Sequence, residues 1–173
     1  MSDCGELEGG RVIPLMTVID DTVVDTLVER LSVLAAQSDG LIQLFLDTPG
    51  GQVQPALRLA AAMTACPAPV TTVNFGRVGG VGVHVLAAGR IGGRFALNDS
   101  YADFIPMHRD GQPVEHEFTS VLRGLLRDRT HLDDRLIDAL EQDQPIDAAG
   151  QLQIGLVDHL LDRDAHQLRA RSA

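Results

Sequence analysis

The stretch Gly76-Arg77-Val78-Gly79-Gly80-Val81-Gly82-Val83-His84-Val85-Leu86-Ala87-Ala88-Gly89 decides the fold of this chain. It follows an apolar, β-rich run at residues 70–75 and ends in a glycine, the residue type that commonly closes a helix. The order predicts a strand, a sharp glycine-rich turn and a short helix. Hydrolases place a nucleophile on such a turn, beside backbone N–H groups that stabilise an oxyanion. Here the apex of the turn is Gly80, which has no attacking group.

A second glycine-rich turn, Asp47-Thr48-Pro49-Gly50-Gly51, closes an apolar strand predicted at residues 41–46. On its own this motif is better explained as a simple tight turn. The carboxyl ends of neighbouring parallel strands lie at one edge of a sheet, however, and ligands bind at such edges. The two turns can therefore aim N–H groups at one point, which is the arrangement of an oxyanion hole.

Outward from these turns, strands alternate with helices along the chain. The pair Asp20-Asp21 can cap a helix whose apolar residues recur at helical spacing, and an alanine-rich helix is predicted at residues 53–65. This alternation predicts an α/β fold with a central sheet, in a single domain over residues 1–173. The leucine spacing from Val114 to about Gln142 predicts one long amphipathic helix. Such a projecting helix needs a partner to cover its apolar face, so we expect an oligomer.

Composition excludes several classes of function. A net charge of −10 argues against nucleic acid or an anionic membrane as partner. No apolar run has the roughly 18 residues that a membrane span needs, and the acidic N-terminus does not resemble a signal peptide, so we expect a cytoplasmic protein. Cys4 and Cys66 are too few for a disulfide framework, and the spacing of His116 and His131 supports no metal site. No cofactor is expected.

The motifs together resemble a known family. Residues 42–51 are similar to the apolar strand plus Ser-Pro-Gly-Gly of the caseinolytic protease proteolytic subunit (ClpP), and residues 76–89 match its Gly-x-Ala-x-Ser-x-Gly-x-x-x-x-Ala-Ala-Gly segment without gaps. Arg94–Leu97, the long helix and Gly155–Asp158 follow in the family's order. The resemblance implies the repeated ββα spiral fold of the ClpP/crotonase superfamily, with a head at 11–107 and 143–161 and a handle helix at about 114–142.

The resemblance also implies a Ser-His-Asp triad, which this chain keeps only in part. The serine position falls on Gly80 and the histidine position on Ile105, so the nucleophile and the base are lost. A three-residue insertion would instead place His108 at the histidine position. The aspartate position falls on Asp143, which is retained.

The implied function is that of a catalytically inactive subunit, a pseudo-peptidase with a structural or regulatory role. In the family the handle helix pairs two heptameric rings, so we expect a ring built from copies of this chain or shared with an active paralogue. Only ten residues precede Arg11, which puts the usual contact with an AAA+ unfoldase in question. The side chains expected to be buried between rings are Phe118, Leu122, Leu125 and Leu132.

Two other functions stay open. The backbone N–H groups of Gly51 and Val81 can form an oxyanion hole without a serine. A non-peptidase enzyme of the superfamily would then use that hole for acyl or enolate chemistry, with an acid or base chosen from His84, Asp103 and His108. The other possibility is a weakly active serine-type peptidase with a displaced triad at His108 and Asp143.

Overall fold

A twisted, mainly parallel sheet forms the centre of the fold. The computed structural model describes residues 10–105, 108–109, 112–113, 116–142 and 144–163. Five strands are hydrogen-bonded side by side in the order β1-β2-β3-β4-β9, all parallel, which confirms the predicted α/β fold. The strands are β1 (Val12–Leu15), β2 (Ile42–Thr48), β3 (Val70–Gly79), β4 (Arg94–Leu97), β5 (Tyr101–Asp103), β6 (His108–Arg109), β7 (Gln112–Pro113), β8 (Ile146–Asp147) and β9 (His159–Leu161).

The long strand β3 changes its partner half-way along. Residues 72–74 of β3 pair with β4, whereas residues 77–79 pair with β5. The strand β5 in turn pairs antiparallel with β8. The second half of β3 therefore still borders β2 through Val78 but pairs with β5 instead of β4 on its other side, and it carries Gly79 to a position beside Asp103, where the candidate site begins.

Helices pack on this sheet and enclose the core. The Asp20 carboxylate accepts a hydrogen bond of 2.8 Å from the Val23 N–H, which confirms the predicted cap of the first helix. All seven residues of the third helix are buried, as expected for a helix that is apolar all round. The helices are α1 (Asp21–Gln37), α2 (Val53–Ala65), α3 (Val81–Ala87), α4 (His116–Arg129), α5 (Asp134–Leu140) and α6 (Ala148–Gln153).

The prediction of one continuous handle helix is wrong. The segment forms two helices, α4 and α5, separated by a break at residues 130–133. The Thr130 hydroxyl bonds back to the Leu126 carbonyl and accepts a bond from the Leu132 N–H. The His131 N–H bonds to the Ile154 carbonyl at 2.8 Å. The Asp133 carboxylate then caps α5. These local hydrogen bonds replace helical ones, so the chain folds back toward the head.

A buried ion pair fastens the C-terminal segment to the sheet. The Arg94 side chain is only 4% exposed and contacts the Asp158 carboxylate at 2.6 Å. That carboxylate also accepts hydrogen bonds from the backbone N–H groups of Gly92 and Arg94. Burial alone would raise the pKa of Asp158, but the hydrogen bonds and charge of Arg94 outweigh it and lower the pKa below its usual value. Within the described residues, no helix is long and apolar enough to cross a bilayer.

Candidate active site

The two glycine-rich turns meet backbone to backbone. A Cβ built on Gly50 would lie 2.6 Å from the carbonyl oxygen of Gly79, and one on Gly79 would lie 2.8 Å from the carbonyl oxygen of Pro49. Neither position can hold a side chain unless the opposing backbone moves. The glycines are therefore required by this close approach, and the turns converge as their spacing predicts.

The backbone of Gly51 is fixed by its neighbours, and its N–H group points to no hydrogen-bond acceptor among the described residues. Its backbone has φ 155°, and two hydrogen bonds of 2.8 Å on either side of it join the turn to Ile19. A Cβ at this position would lie 2.2 Å from the Ile19 carbonyl oxygen. The Gly51 N–H makes no hydrogen bond to any described residue. It is thus available as a donor at the exposed side of the turn.

Gly80 forms the sharp corner between β3 and α3. Its φ of 49° and ψ of −124° lie where glycine is strongly favoured, and its N–H bonds to the Asp103 carbonyl at 2.9 Å. The nearest atom to a Cβ built here would be the Pro49 carbonyl oxygen, 4.0 Å away. The corner is therefore a sharp strand-to-helix turn with room for a side chain, the kind of turn on which hydrolases carry a nucleophile. The N–H of Val81, the next residue, opens α3 and has no intrahelical partner.

Apolar side chains surround this corner on one side. Ile105, at the expected histidine position, is 43% exposed and lines a small cavity beside Gly80. The backbone of His108 lies in β6. Asp143 lies outside the described residues. The described part of the site thus contains no imidazole that could replace Ile105 at the surface of the turn.

One imidazole does lie beneath the turn. His84 follows Gly80 by four residues, so both line one face of the same helical turn, and the ring reaches the cavity beside Gly80. His84 is 5% exposed, and neither ring nitrogen has a hydrogen bond of good geometry within the described structure. Burial lowers the pKa of His84 to about 4, and the nearby Gly80 backbone offsets this only in part. The ring is therefore neutral at pH 7.

The cavity is closed from the handle side by an ion-pair cluster between α4 and α5. Arg123 contacts the carboxylates of Asp138 at 2.7 Å and of Glu141 at 3.1 Å. Burial would lower the pKa of Arg123, but the two carboxylates outweigh it and raise the pKa above its usual value. The cavity has a volume of about 10 Å³. Its walls are formed by Gly80, His84, Phe104, Ile105, Arg123, Leu126, Ile137 and Glu141.

Asp103 contributes its backbone to the site, and its carboxylate is already paired. The side chain is 15% exposed and forms an ion pair with Arg77, which is 58% exposed. Thr48 is likewise occupied: its hydroxyl donates to the Thr17 carbonyl at 2.6 Å and accepts from the Gly50 N–H. Both residues therefore support the turns structurally. Among the described residues, no group of three or more histidine, cysteine, aspartate or glutamate side chains is placed to hold a metal ion.

Comparison with known proteins identifies the family. The model of the Clp protease family matches residues 2–109, which is more than half of the chain. The chain belongs to the Clp protease family. ATP-dependent Clp protease proteolytic subunits of Lactococcus lactis subsp. lactis (strain IL1403) and subsp. cremoris (strain SK11) are each 28% identical over 169 residues, which cover 90% of this chain and 85% of theirs.

A solved structure shows the same fold. The ClpP protease catalytic domain from Plasmodium falciparum superposes with a TM-score of 0.79 at 21% identity, over 87% of this chain and 85% of that one. The Clp protease spiral fold implied by the sequence motifs is thereby confirmed.

Two of the handle residues expected at a Clp protease ring interface are part of the chain's own core. Leu122 is fully buried and Leu132 is 4% exposed, so the prediction of inter-ring contacts is wrong for both. Phe118 and Leu125 are half-buried and keep some surface for a partner. The break between α4 and α5 explains the difference, because it folds the second helix onto the first. The large apolar side chains exposed on this part of the chain are Val121, at 53%, and Leu136, at 49%.

Three charged residues of this Clp protease site were missed by reasoning from sequence. Arg77 lies within the quoted glycine-rich stretch, but only the pairing of β3 with β5, in which Arg77 is opposite Tyr101, brings its side chain within reach of the Asp103 carboxylate. Arg123 and Glu141 are eighteen positions apart, and their pairing depends on the unpredicted break between α4 and α5. No local sequence signal marks that contact.

Proposed function

We propose that this chain is a Clp protease family subunit without peptidase activity, with a structural or regulatory role in a ring. The observation that carries the proposal is Gly80 at the corner where the family has its serine. Ile105, at the histidine position, gives independent support. Removing the nucleophile of such a triad lowers the turnover rate by about a million-fold, so residual peptide cleavage would be negligible.

The geometry supports loss of chemistry without loss of the scaffold. Gly80 forms a sharp strand-to-helix corner with room for a side chain, and the two turns pack against each other through Gly50 and Gly79. The unused N–H of Gly51 still lies at the exposed side of the turn. A chain that keeps the framework but lacks the attacking group suits a role in assembly.

The test uses a fluorophosphonate probe and an unstructured peptide. The purified protein should neither take up the probe nor cleave the peptide, whereas a Lactococcus lactis Clp protease proteolytic subunit serves as the active control. Intact-mass analysis decides between labelling and its absence. A covalent adduct on any residue of this chain, or peptide cleavage that copurifies with it through gel filtration, contradicts the proposal.

Ring assembly is tested separately through the exposed apolar side chains of the handle. We expect native mass spectrometry to show an oligomer, either of this chain alone or with an active family member, that Val121→Asp and Leu136→Asp disrupt. Val33→Asp is the matched control, because Val33 is 51% exposed but lies on α1. A wild-type chain that remains monomeric both alone and in the presence of the active family member rules out the ring.

A non-peptidase enzyme is the second candidate, and the buried imidazole of His84 is the observation that favours it. A base with a pKa of about 4 accepts a proton poorly at pH 7, which is why this candidate ranks second. Stabilisation of the wild-type protein, but not of His84→Phe, by an acyl thioester in a thermal-shift assay would reverse the ranking. The displaced-triad peptidase is weaker, because the nearest described serine beyond the turn, Ser100, is fully buried.

A further inference from the structure

The imidazole of His84 is a buried polar side chain without a well-formed hydrogen bond. Both ring nitrogens are shielded from solvent, and neither makes a hydrogen bond of good geometry to a described group, although the Gly80 backbone lies close enough to the ring to raise its pKa in part. A buried donor or acceptor left without a partner is costly, so native proteins satisfy such groups with protein or with ordered water. The charged neighbours do not fill this role, since Arg123 and Glu141 pair with each other.

The cavity beside the ring has the size of one water molecule. Its volume is about 10 Å³, and a water needs roughly 10–15 Å³ of such space together with two to four polar partners. His84 supplies one of its two nitrogens, and the backbone of Gly80 lies next to the ring. Larger ligands are excluded by volume. An ion is disfavoured because the ring is neutral and the adjacent charges are already paired.

We propose that one ordered water occupies this cavity, bound to His84 behind the Gly80 corner. A water both donates and accepts, so it satisfies a neutral imidazole in either tautomer. Gly80 and the His84 ring both line the cavity, so the water lies beneath the strand-to-helix corner. The site therefore holds a solvent oxygen next to the residue at the family's serine position.

The test compares crystal structures of the wild type, His84→Phe and His159→Phe at neutral pH. We expect a water within hydrogen-bond distance of a His84 ring nitrogen in the wild type and in His159→Phe, whose altered residue is exposed. The water should be absent from His84→Phe. An empty wild-type cavity overturns the proposal, and so does a water that persists in His84→Phe, because other groups would then hold it.

A measurement in solution keeps the proposal testable if the His84 variant does not fold. In the wild type, we expect nuclear Overhauser contacts between the His84 ring protons and a long-lived water. Their absence, with the ring resonances assigned, contradicts the proposal. Neither experiment depends on whether the chain reacts with a fluorophosphonate, so the water site and the loss of peptidase activity can fail independently.

Discussion

Restoring a serine at the corner, by Gly80→Ser, is the sharpest perturbation of the proposed silent site. The structure provides the space, because a Cβ at Gly80 would have no atom closer than 4.0 Å. The cost is in the backbone: φ 49° with ψ −124° is a conformation that side chains disfavour, typically by about 1–3 kcal/mol. The variant should therefore fold with a modest loss of stability, which urea unfolding measures. Gly80→Ala separates this backbone cost from any effect of the hydroxyl.

The restored hydroxyl alone should remain unreactive. In serine hydrolases, losing the base costs about as much rate as losing the whole triad, and Ile105 provides no base here. His84 lies beneath the corner, and its low pKa makes it a poor substitute. The double variant Gly80→Ser/Ile105→His, which has Asp143 at the aspartate position, should by contrast gain fluorophosphonate labelling by at least about 100-fold, the usual range for a general base.

The assay is the time course of labelling followed by intact mass. Labelling of Gly80→Ser as fast as that of the double variant would refute the reasoning, since a base other than residue 105 would be acting. A folded double variant that does not label at all would refute the placement of the triad on this sequence.

Three further outcomes follow from described contacts. Burial lowers the pKa of His84 from its ordinary 6.5 to about 4, so the folded wild type should lose about 3 kcal/mol of stability as the pH falls from 6.5 to 4. In parallel urea titrations, His84→Phe should lack this part of the acid sensitivity. Asp158→Asn leaves the buried charge of Arg94 without its carboxylate and should cost about 3–5 kcal/mol in chemical unfolding; an unchanged midpoint would contradict the anchoring role. In Gly51→Ala the new Cβ would lie 2.2 Å from a backbone oxygen, whereas in Gly92→Ala it would meet no atom within 4 Å. Gly51→Ala should therefore lower stability by about 1–3 kcal/mol more than Gly92→Ala, and equal thermal melting temperatures would refute the crowding.

Much of the head could be predicted because its signals are local. The cap at Asp20, the helix at residues 53–65 and the convergence of the two glycine-rich turns depend on neighbouring residues or on a general rule for parallel strands. Each of these features has the bounds or the geometry that the sequence indicates.

The handle was harder to predict because its shape depends on contacts between distant residues. Leucine spacing indicates helix equally well on both sides of residues 130–133, and only the bond from the His131 N–H to Ile154 and the cap at Asp133 end the first helix there. The same limit applies to the site. Spacing places His84 one turn beyond Gly80, but the burial of its ring beside Arg123 and Glu141 depends on contacts with α4 and α5 that no local sequence signal marks.

The two-part pairing of β3 has a mechanical consequence. Residues 72–74 pair with β4 and residues 77–79 pair with β5 of the same sheet, yet they form one continuous strand that ends just before Gly80. The Gly80 N–H also bonds to the Asp103 carbonyl at 2.9 Å, so a displacement of β5 would reach the corner both through its pairing with residues 77–79 and through this hydrogen bond.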